Sequence, residues 1–262
     1  MSTLAITYVG GPTALLEVAG LRLLTDPTFD QPGKRYHFGW GAMSRKLQAA
    51  ALGPDDLGEI DAVLLSHDHH DDNLDPAGRA MLPSVGRVIT TPAGARRLGS
   101  LGAEGLAPWS TTVLQTPDGG ELRVTATPCR HGPPLSKPIV GEVIGFVLEW
   151  EGQRDGPFWI TGDTVYFSGV AEVGRRFDLG SALVHLGGVR FPVTGSARYT
   201  MNAAEAIRVA REFELSTLVP IHYEGWKHFR QGRADIEGAF KEAGIDDRVR
   251  WLEAGKPQAI EV

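Results

Sequence analysis

The chain has 262 residues, of which 42% are hydrophobic and 22% are charged, and this is the composition of an ordinary globular protein. It contains no apolar run of the ~18 residues that a membrane span requires, and its single cysteine excludes an internal disulfide. The formal net charge of -6, with lysine and arginine spread along the chain, disfavours a large nucleic-acid footprint. The opening stretch MSTLAITYVGG shows no secretory pattern, so we expect a cytoplasmic protein.

Strands and helices alternate in the first part of the chain. Turn residues separate three predicted strands, LAITYV, TALLEV and LRLLTD. The nearly continuous apolar run DAVLLS predicts a strand that is buried on both faces. A helix at LDPAGRAML, a strand at RVITT and a helix at PAGARRLGS follow it.

A second group of strands is predicted at ELRVTATP, IGFVLEW, FWITGD and SALVHLGG. The helix NAAEAIRVAREF begins with the Asn-x-x-Glu pattern of a capping box, and STLVPIH, ADIEGAFKEA and RVRWLEA predict a strand, a helix and a last short strand. The Gly/Pro-rich residues 129–142 mark either a boundary or a long active-site loop. The order of elements indicates layered mixed sheets of the α/β (α+β) class, in one domain over residues 1–262.

The stretch AVLLSHDHHDDNLD, residues 62–75, places three histidines and four aspartates behind a predicted strand. Buried carboxylates this close together cannot all stay ionised without a cation, whereas in a solvated loop the crowding costs little. His67 and His69 are spaced so that, with a third nitrogen donor, they form a zinc-type ligand set. Asp71 and Asp72 offer oxygen ligands for a second cation.

Three more metal-ligand side chains follow predicted strand ends. His131 comes after TATP, Asp163 after FWIT and His222 after LVPI. Each of them alone is more often structural than functional. Together with the histidine-aspartate stretch they indicate a site at the mouths of several strands, since functional residues tend to lie on loops that a rigid scaffold holds.

The order and context of these segments resemble the metallo-β-lactamase fold superfamily of metal-dependent hydrolases. That superfamily has a His-x-His-x-Asp-His motif after a strand, then a lone His, a lone Asp in a Gly-Asp segment and a final His. LLTDPTF and GDTVYFSG are similar in particular to the branch of L-ascorbate 6-phosphate lactonase and N-acyl-phosphatidylethanolamine phospholipase D. The resemblance runs from Asp26 to His222.

The resemblance implies a four-layer αββα sandwich, in which two mixed sheets are flanked by helices and metals bind at one edge. His67, His69 and His131 would hold the first metal, and Asp163 would bridge both metals. Asp71 and His222 would complete the second site. The cofactors would be two divalent metal ions, zinc or manganese, with iron as a further option.

Asp72 departs from the family motif, which has its last histidine at this position. An aspartate that reached the metal would add a hard oxygen donor and shift the second site from zinc toward manganese or iron. If Asp72 does not reach the metal, the second site would be weak or empty.

The implied reaction is hydrolysis of a small ester, lactone or phosphodiester by a metal-bound hydroxide, with Asp163 and Asp71 as catalytic ligands. Tyr166 or His228 would supply a proton or polarise a carbonyl, although each could instead pack or cap a loop. A nuclease or phosphodiesterase of the same superfamily and a non-catalytic metal-binding module are the alternatives. The expected partner is a small-molecule substrate, without nucleic acid or a membrane span, and the oligomeric state stays open.

Overall fold

A computed structural model describes residues 3–262, which form fifteen strands and six α-helices. The strands are β1 (Thr3–Gly10), β2 (Thr13–Val18), β3 (Leu21–Thr25), β4 (Arg35–His37), β5 (Met43–Arg45), β6 (Ala62–Leu64), β7 (Arg87–Thr90), β8 (Glu104–Gly105), β9 (Thr111–Gln115), β10 (Glu121–Pro128), β11 (Ile144–Trp150), β12 (Phe158–Ile160), β13 (Ser181–His185), β14 (Thr217–Ile221) and β15 (Pro257–Glu261). The helices are α1 (Pro76–Met81), α2 (Pro92–Leu98), α3 (Lys137–Val140), α4 (Ser168–Arg176), α5 (Ala203–Glu212) and α6 (Arg233–Ala243). None of these helices has the length and apolar character that crossing a membrane would demand.

The strands form two mixed sheets and one separate hairpin. The first sheet has seven strands in the order β15-β1-β2-β3-β6-β7-β8, and the second has six in the order β14-β13-β12-β11-β10-β9. Strands β3, β6, β7 and β8 run parallel, as do β12, β13 and β14, while the other pairs are antiparallel. The hairpin β4-β5 stands apart from both sheets.

Three apolar layers hold the sheets and helices together. Side chains such as Ile6 and Phe146 fill the space between the two sheets. The outer face of the first sheet packs against α1 and α2 around Val63, and the outer face of the second packs against α4, α5 and α6 around Trp159. Alternating side chains of one strand serve both layers, since successive residues point to opposite faces. The predicted α/β sandwich with helices outside two mixed sheets is confirmed.

Most of the predicted elements are present, including the capping box that opens α5. The Asn202 side chain accepts from the Glu205 amide, and the Glu205 carboxylate accepts from the Asn202 amide. The hairpin β4-β5, the edge strands β8 and β9, and the helices α3 and α4 were not predicted from the sequence. The prediction was wrong about RVRWLEA, where a single bridge joins Val249 to Leu218 and the last strand is β15 instead. In this segment Val249 packs in the layer outside the second sheet and Leu252 packs between the sheets, although the segment forms no ladder.

The turn into α1 is held by Asp75 and Gly78. Asp75 caps the helix by accepting from the Gly78 amide, and its other oxygen accepts from the Lys46 ammonium and the Asp30 amide. Gly78 allows α1 to approach the bend at Pro27, because a Cβ atom there would lie 1.9 Å from the Pro27 carbonyl oxygen.

We expect Gly78→Ala to lower the free energy of unfolding by about 1–3 kcal/mol, because the added methyl group overpacks a contact with backbone. The matched control is Gly238→Ala in α6, where nothing lies within 4 Å of the added Cβ. At that exposed helix position the substitution should raise the free energy of unfolding by about 1 kcal/mol. Urea unfolding of the two variants measures both changes, and equal effects would show that the Gly78 contact can relax.

Candidate metal centre

The loop after β6 carries the histidine-aspartate stretch, and the Asp26 carboxylate holds both of its ends. The Ser66 amide donates to Asp26 Oδ1 at 2.7 Å, and the Asn73 side-chain amide donates to Asp26 Oδ2 at 3.2 Å. Asp26 itself follows β3, the parallel neighbour of β6. Residues 66–73 therefore close into a compact loop at the ends of two parallel strands.

Three histidines meet in the first group. The His70 Nδ1 atom lies 3.1 Å from His67 Nε2 and 3.2 Å from His131 Nε2. One ring nitrogen of each histidine lies within 4.8 Å of those of the other two, and all three side chains are buried. The other nitrogen of His67 contacts the Ser66 hydroxyl, and that of His131 contacts the Tyr199 carbonyl oxygen at 2.8 Å. These contacts set the orientation of two rings.

Two carboxylates and one histidine form the second group. Ligand atoms of Asp72, Asp163 and His222 lie within 4.8 Å of one another, and all three residues are buried. The His222 Nε2 atom is 3.9 Å from Asp72 Oδ2 and 3.7 Å from Asp163 Oδ2. The two groups adjoin, because His131 Nδ1 is 4.0 Å from Asp163 Oδ2.

His222 reaches this position through an unfavourable backbone conformation. Its φ of 59° lies in the left-handed region, which residues other than glycine seldom adopt. Its amide donates to the Gly11 carbonyl oxygen at 2.8 Å, which ties the end of β14 to the turn between β1 and β2. Strain of this kind persists where the surrounding structure enforces it, and it is typical of functional sites.

Several buried polar atoms of the site lack a partner. Both oxygens of Asp163, Oδ1 of Asp72 and Nε2 of His222 have no hydrogen-bond partner among residues 3–262. Buried polar groups are normally paired, since an unpaired one costs about 1–3 kcal/mol. The donor set points at a shared space and fits divalent cations, which would pair all of these atoms at once.

Burial is the main cause of the pKa shifts of the histidines in the two groups. Burial lowers the pKa of His131 to about 4 and that of His222 to about 3. Burial, with the neighbouring imidazoles, also lowers the pKa values of His67 and His70 well below the usual range. At neutral pH the imidazoles are therefore uncharged, which is the form that binds a metal ion.

The two carboxylates of the second group differ in pKa. Burial, and then the charges of Asp72 and Asp26, raise the pKa of the Asp163 carboxyl well above its usual range. Burial opposes the ionisation of Asp72 as well, but the hydrogen bond from His228 and the nearby imidazoles keep its pKa below the usual range. A bound cation would favour the ionised form of both.

The structure does not bring two of the predicted ligands into either group. The His69 ring donates instead to the Val140 carbonyl oxygen, and its Nδ1 atom lies 3.9 Å from Asp68 Oδ1. Asp71 is half-buried, and burial together with the adjacent Asp72 raises its pKa to about 6. The grouped histidine and aspartate, His70 and Asp72, each lie one residue further along the chain.

Of the two predicted proton donors, only His228 contacts a residue of the metal-ligand groups. His228 Nε2 donates to Asp72 Oδ2 at 2.8 Å, and because a carboxylate only accepts, His228 Nδ1 is left to accept from the Ser44 hydroxyl. The Tyr166 hydroxyl donates to Glu212 on α5, and the Arg208 guanidinium stacks on its ring. Tyr166 therefore takes no part in either group.

An aromatic cover closes the site from outside. Phe38, in the turn between β4 and β5, has its ring centroid 5.6 Å from that of His70 and 5.0 Å from that of His228. Phe191 and Tyr199 extend the cover from the loop after β13. A cavity of about 30 Å³ remains beneath it, lined by His70, Asp72, His131 and these rings. Water has little access to the ligand atoms.

Three features of the site were not predicted from the sequence: His70 in the first group, the hydrogen-bonded chain Ser44–His228–Asp72, and the hydrogen bond from Asn73 to Asp26. The family motif assigns ligands at positions 69 and 71 but none at position 70, so the resemblance did not indicate His70. The hydrogen bond of Asn73 could have been expected from its position directly after the aspartates, since short polar side chains often form hydrogen bonds to nearby atoms of a loop. No sequence signal relates Ser44 to His228, because they are 184 residues apart.

Comparison with curated proteins places these observations in a family. The profile of the family described as "Beta-lactamase superfamily domain" matches residues 21–223. A UPF0173 metal-dependent hydrolase of Methanoregula boonei is 28% identical over 70% of this chain and 73% of its own length. Its counterpart in Salinibacter ruber is 25% identical over 97% of this chain and 99% of its own. The lactonase-like branch stays a prediction.

Solved structures agree in fold over nearly the whole chain. A protein from Veillonella parvula described as "a possible metal-dependent hydrolase" superposes with a TM-score of 0.80 at 20% identity, covering 98% of this chain and 99% of that one. The isothiocyanate hydrolase from Delia radicum gut bacteria superposes with a TM-score of 0.79 at 22% identity, covering 98% and 100%. The family profile spans most of the chain and the fold agrees with it, so this chain belongs to the metallo-β-lactamase superfamily of metal-dependent hydrolases.

Proposed function

We propose that this protein hydrolyses a small ester, lactone or phosphodiester with the help of two divalent cations. One cation would be held by the three-histidine group and the other by the two carboxylates and the histidine of the second group. The observation that carries the proposal is the pair of unpartnered oxygens on Asp163. A fully buried carboxyl group without a donor is costly to ionise unless a cation binds it.

The residue types of the two groups favour different metals. Three neutral imidazoles are typical zinc ligands, whereas two carboxylates with one imidazole suit manganese or iron better. When bound, such cations lower the pKa of a coordinated water and stabilise negative charge that develops on a substrate oxygen.

The other residues would orient the ligands and exclude water. His228 holds the Asp72 carboxylate by a hydrogen bond of 2.8 Å, and the Asp26 carboxylate fixes the loop that carries His67 and His70. The aromatic cover leaves a cavity of only about 30 Å³, so the group that reacts must be small. Exclusion of water strengthens the electrostatic interactions at the site.

Metal analysis with a turnover panel tests the proposal. Protein purified without added metal or chelator should contain about two equivalents of transition metal per chain, and it should cleave at least one ester, lactone or phosphodiester of a generic panel. Loss of turnover on chelation and recovery on metal addition would support it. Metal content without any turnover would favour a non-catalytic metal-binding protein.

We expect Asp163→Ala to reduce hydrolysis by at least about 100-fold while the fold stays intact. The variant removes a buried carboxyl without a protein partner, so its unfolding temperature without metal should be equal or higher. The rise in unfolding temperature on metal addition should shrink. Unchanged turnover would refute a ligand role for Asp163.

The adjacent histidines give a matched pair of variants. We expect His70→Ala to lose about one equivalent of metal, because its ring nitrogen lies among those of His67 and His131. His69→Ala should retain both equivalents, because His69 contacts the Val140 carbonyl oxygen instead. Metal analysis of both proteins compares them, and the opposite result would assign the ligand to His69.

Asp72→His should raise the zinc-to-manganese ratio of protein loaded from an equal mixture of the two metals, because imidazole replaces a hard oxygen donor. Asp71→His is the control, since Asp71 belongs to neither group, and its ratio should equal that of the wild type. A wild-type ratio in Asp72→His would mean that Asp72 is not a ligand.

A further inference from the structure

The segments around the mouth of the site differ in charge from the rest of the protein. Residues 33–47, 129–141, 189–200 and 225–231 contain ten of the 26 lysines and arginines and no aspartate or glutamate, although the formal net charge is -6. Three of the segments line the small cavity through Phe38, Val140 and Phe191, and the fourth supplies Trp226, whose ring contacts that of Phe38. These segments therefore carry a net positive charge on a protein that is acidic overall.

Half of these cations are exposed and have no carboxylate nearby. Arg35, Arg45, Arg190, Lys227 and Arg230 have no carboxylate oxygen within 4.0 Å among residues 3–262. A cluster of unpaired cations around a cleft attracts anions and raises the rate at which they arrive.

Large apolar side chains are exposed on the same segments. Trp40, at the tip of the β4-β5 hairpin between two glycines, is 78% exposed, Leu135 is 96% exposed and Val193 is 60% exposed. The bases of the three loops touch, since the Phe38 and Phe191 rings are 5.2 Å apart and Gly132 packs on Tyr199. A ligand at the mouth would thus meet apolar and positive groups together.

A second, larger cavity lies next to the small one. It has a volume of about 340 Å³, and His131 and Val140 line both cavities. Leu135, Val143 and Phe167 supply part of its apolar wall. This volume is in the range of small-molecule sites.

The charged groups of the larger cavity are mostly positive. Arg130 stacks its guanidinium over the Phe167 ring at 5.1 Å and donates from Nη2 to the Tyr166 carbonyl oxygen at 3.2 Å. Its Nε atom is buried and has no partner among the described residues. Lys137 also lines this cavity, where its ion pair with Glu142 at 3.1 Å is solvent-exposed and easily exchanged.

We propose that the substrate is a small organic anion with an apolar group, whose anionic group binds Arg130 and Lys137 in the larger cavity. The bond to be cleaved would then lie beyond Val140, close to the two groups of metal-ligand residues. This proposal rests on the proposed function for the reaction, but the cavity, the unpartnered Nε atom of Arg130 and the acid-free segments support it without reference to the metals.

The test compares two fluorescent probes that differ by one anionic group, anilinonaphthalene sulfonate and phenylnaphthylamine. The protein as purified should bind the sulfonate at least about tenfold more tightly, since a charge-assisted hydrogen bond contributes about that factor. Arg130→Gln and Lys137→Gln should each weaken sulfonate binding, by about tenfold for Arg130, and leave the neutral probe unaffected.

Arg123→Gln is the control, because Arg123 is an exposed arginine on β10 outside the mouth segments. It should bind both probes as the wild type does, and Lys137→Gln keeps the test decisive if Arg130→Gln fails to fold. Equal affinities of the two probes, or a loss of sulfonate binding in Arg123→Gln alone, would overturn the proposal. Sulfonate preference without any turnover in the substrate panel would instead count against the proposed hydrolysis.

Discussion

Two buried carboxylates, Asp72 and Asp163, lie side by side at the edge where both sheets end, and the site is arranged around their charge. Burial and the neighbouring carboxylates hold the Asp163 pKa high, while a hydrogen bond from His228 and nearby imidazoles hold the Asp72 pKa low. The uncharged histidines around them cannot balance two ionised carboxylates. The arrangement is stable with both ionised only when positive charge is bound between them.

Much of the surrounding structure keeps these side chains in place. Asp26 pins the loop through the Ser66 amide and Asn73, and the left-handed backbone at His222 turns that ring inward. The Asp75 contacts hold the start of α1, directly after the loop. Ligand atoms must be held closely for a metal site to function, and groups outside the ligand set supply much of that constraint.

The inner and outer parts of the site have opposite electrostatic character. The carboxylates and imidazoles are buried inside, whereas the surrounding segments carry only positive charge and exposed apolar side chains. A bound dication would remove the repulsion between the inner carboxylates and an approaching anion. The positive mouth would then favour arrival of that anion over neutral molecules, with an effect that salt would screen.

Within residues 3–262, the chain by itself determined ten of the fifteen strands, four of the six helices and the segments that form the candidate site. The apolar run before the histidine-aspartate stretch, and the strand ends before His131, Asp163 and His222, place these segments together because strand ends share a sheet edge. Periodicity reports only local patterns, so it missed β8 and β9 at the edges and mistook RVRWLEA for a strand.

Only the tertiary structure decided which side chains of the loop turn inward. His69 and His70 are adjacent, and so are Asp71 and Asp72, so spacing could not separate them. The contact of His69 with the Val140 carbonyl oxygen, the clamp by Asp26 and the hydrogen bond from His228 select the inward residue of each pair. These partners are distant in sequence, and in an irregular loop no fixed period relates the order of residues to the direction of their side chains.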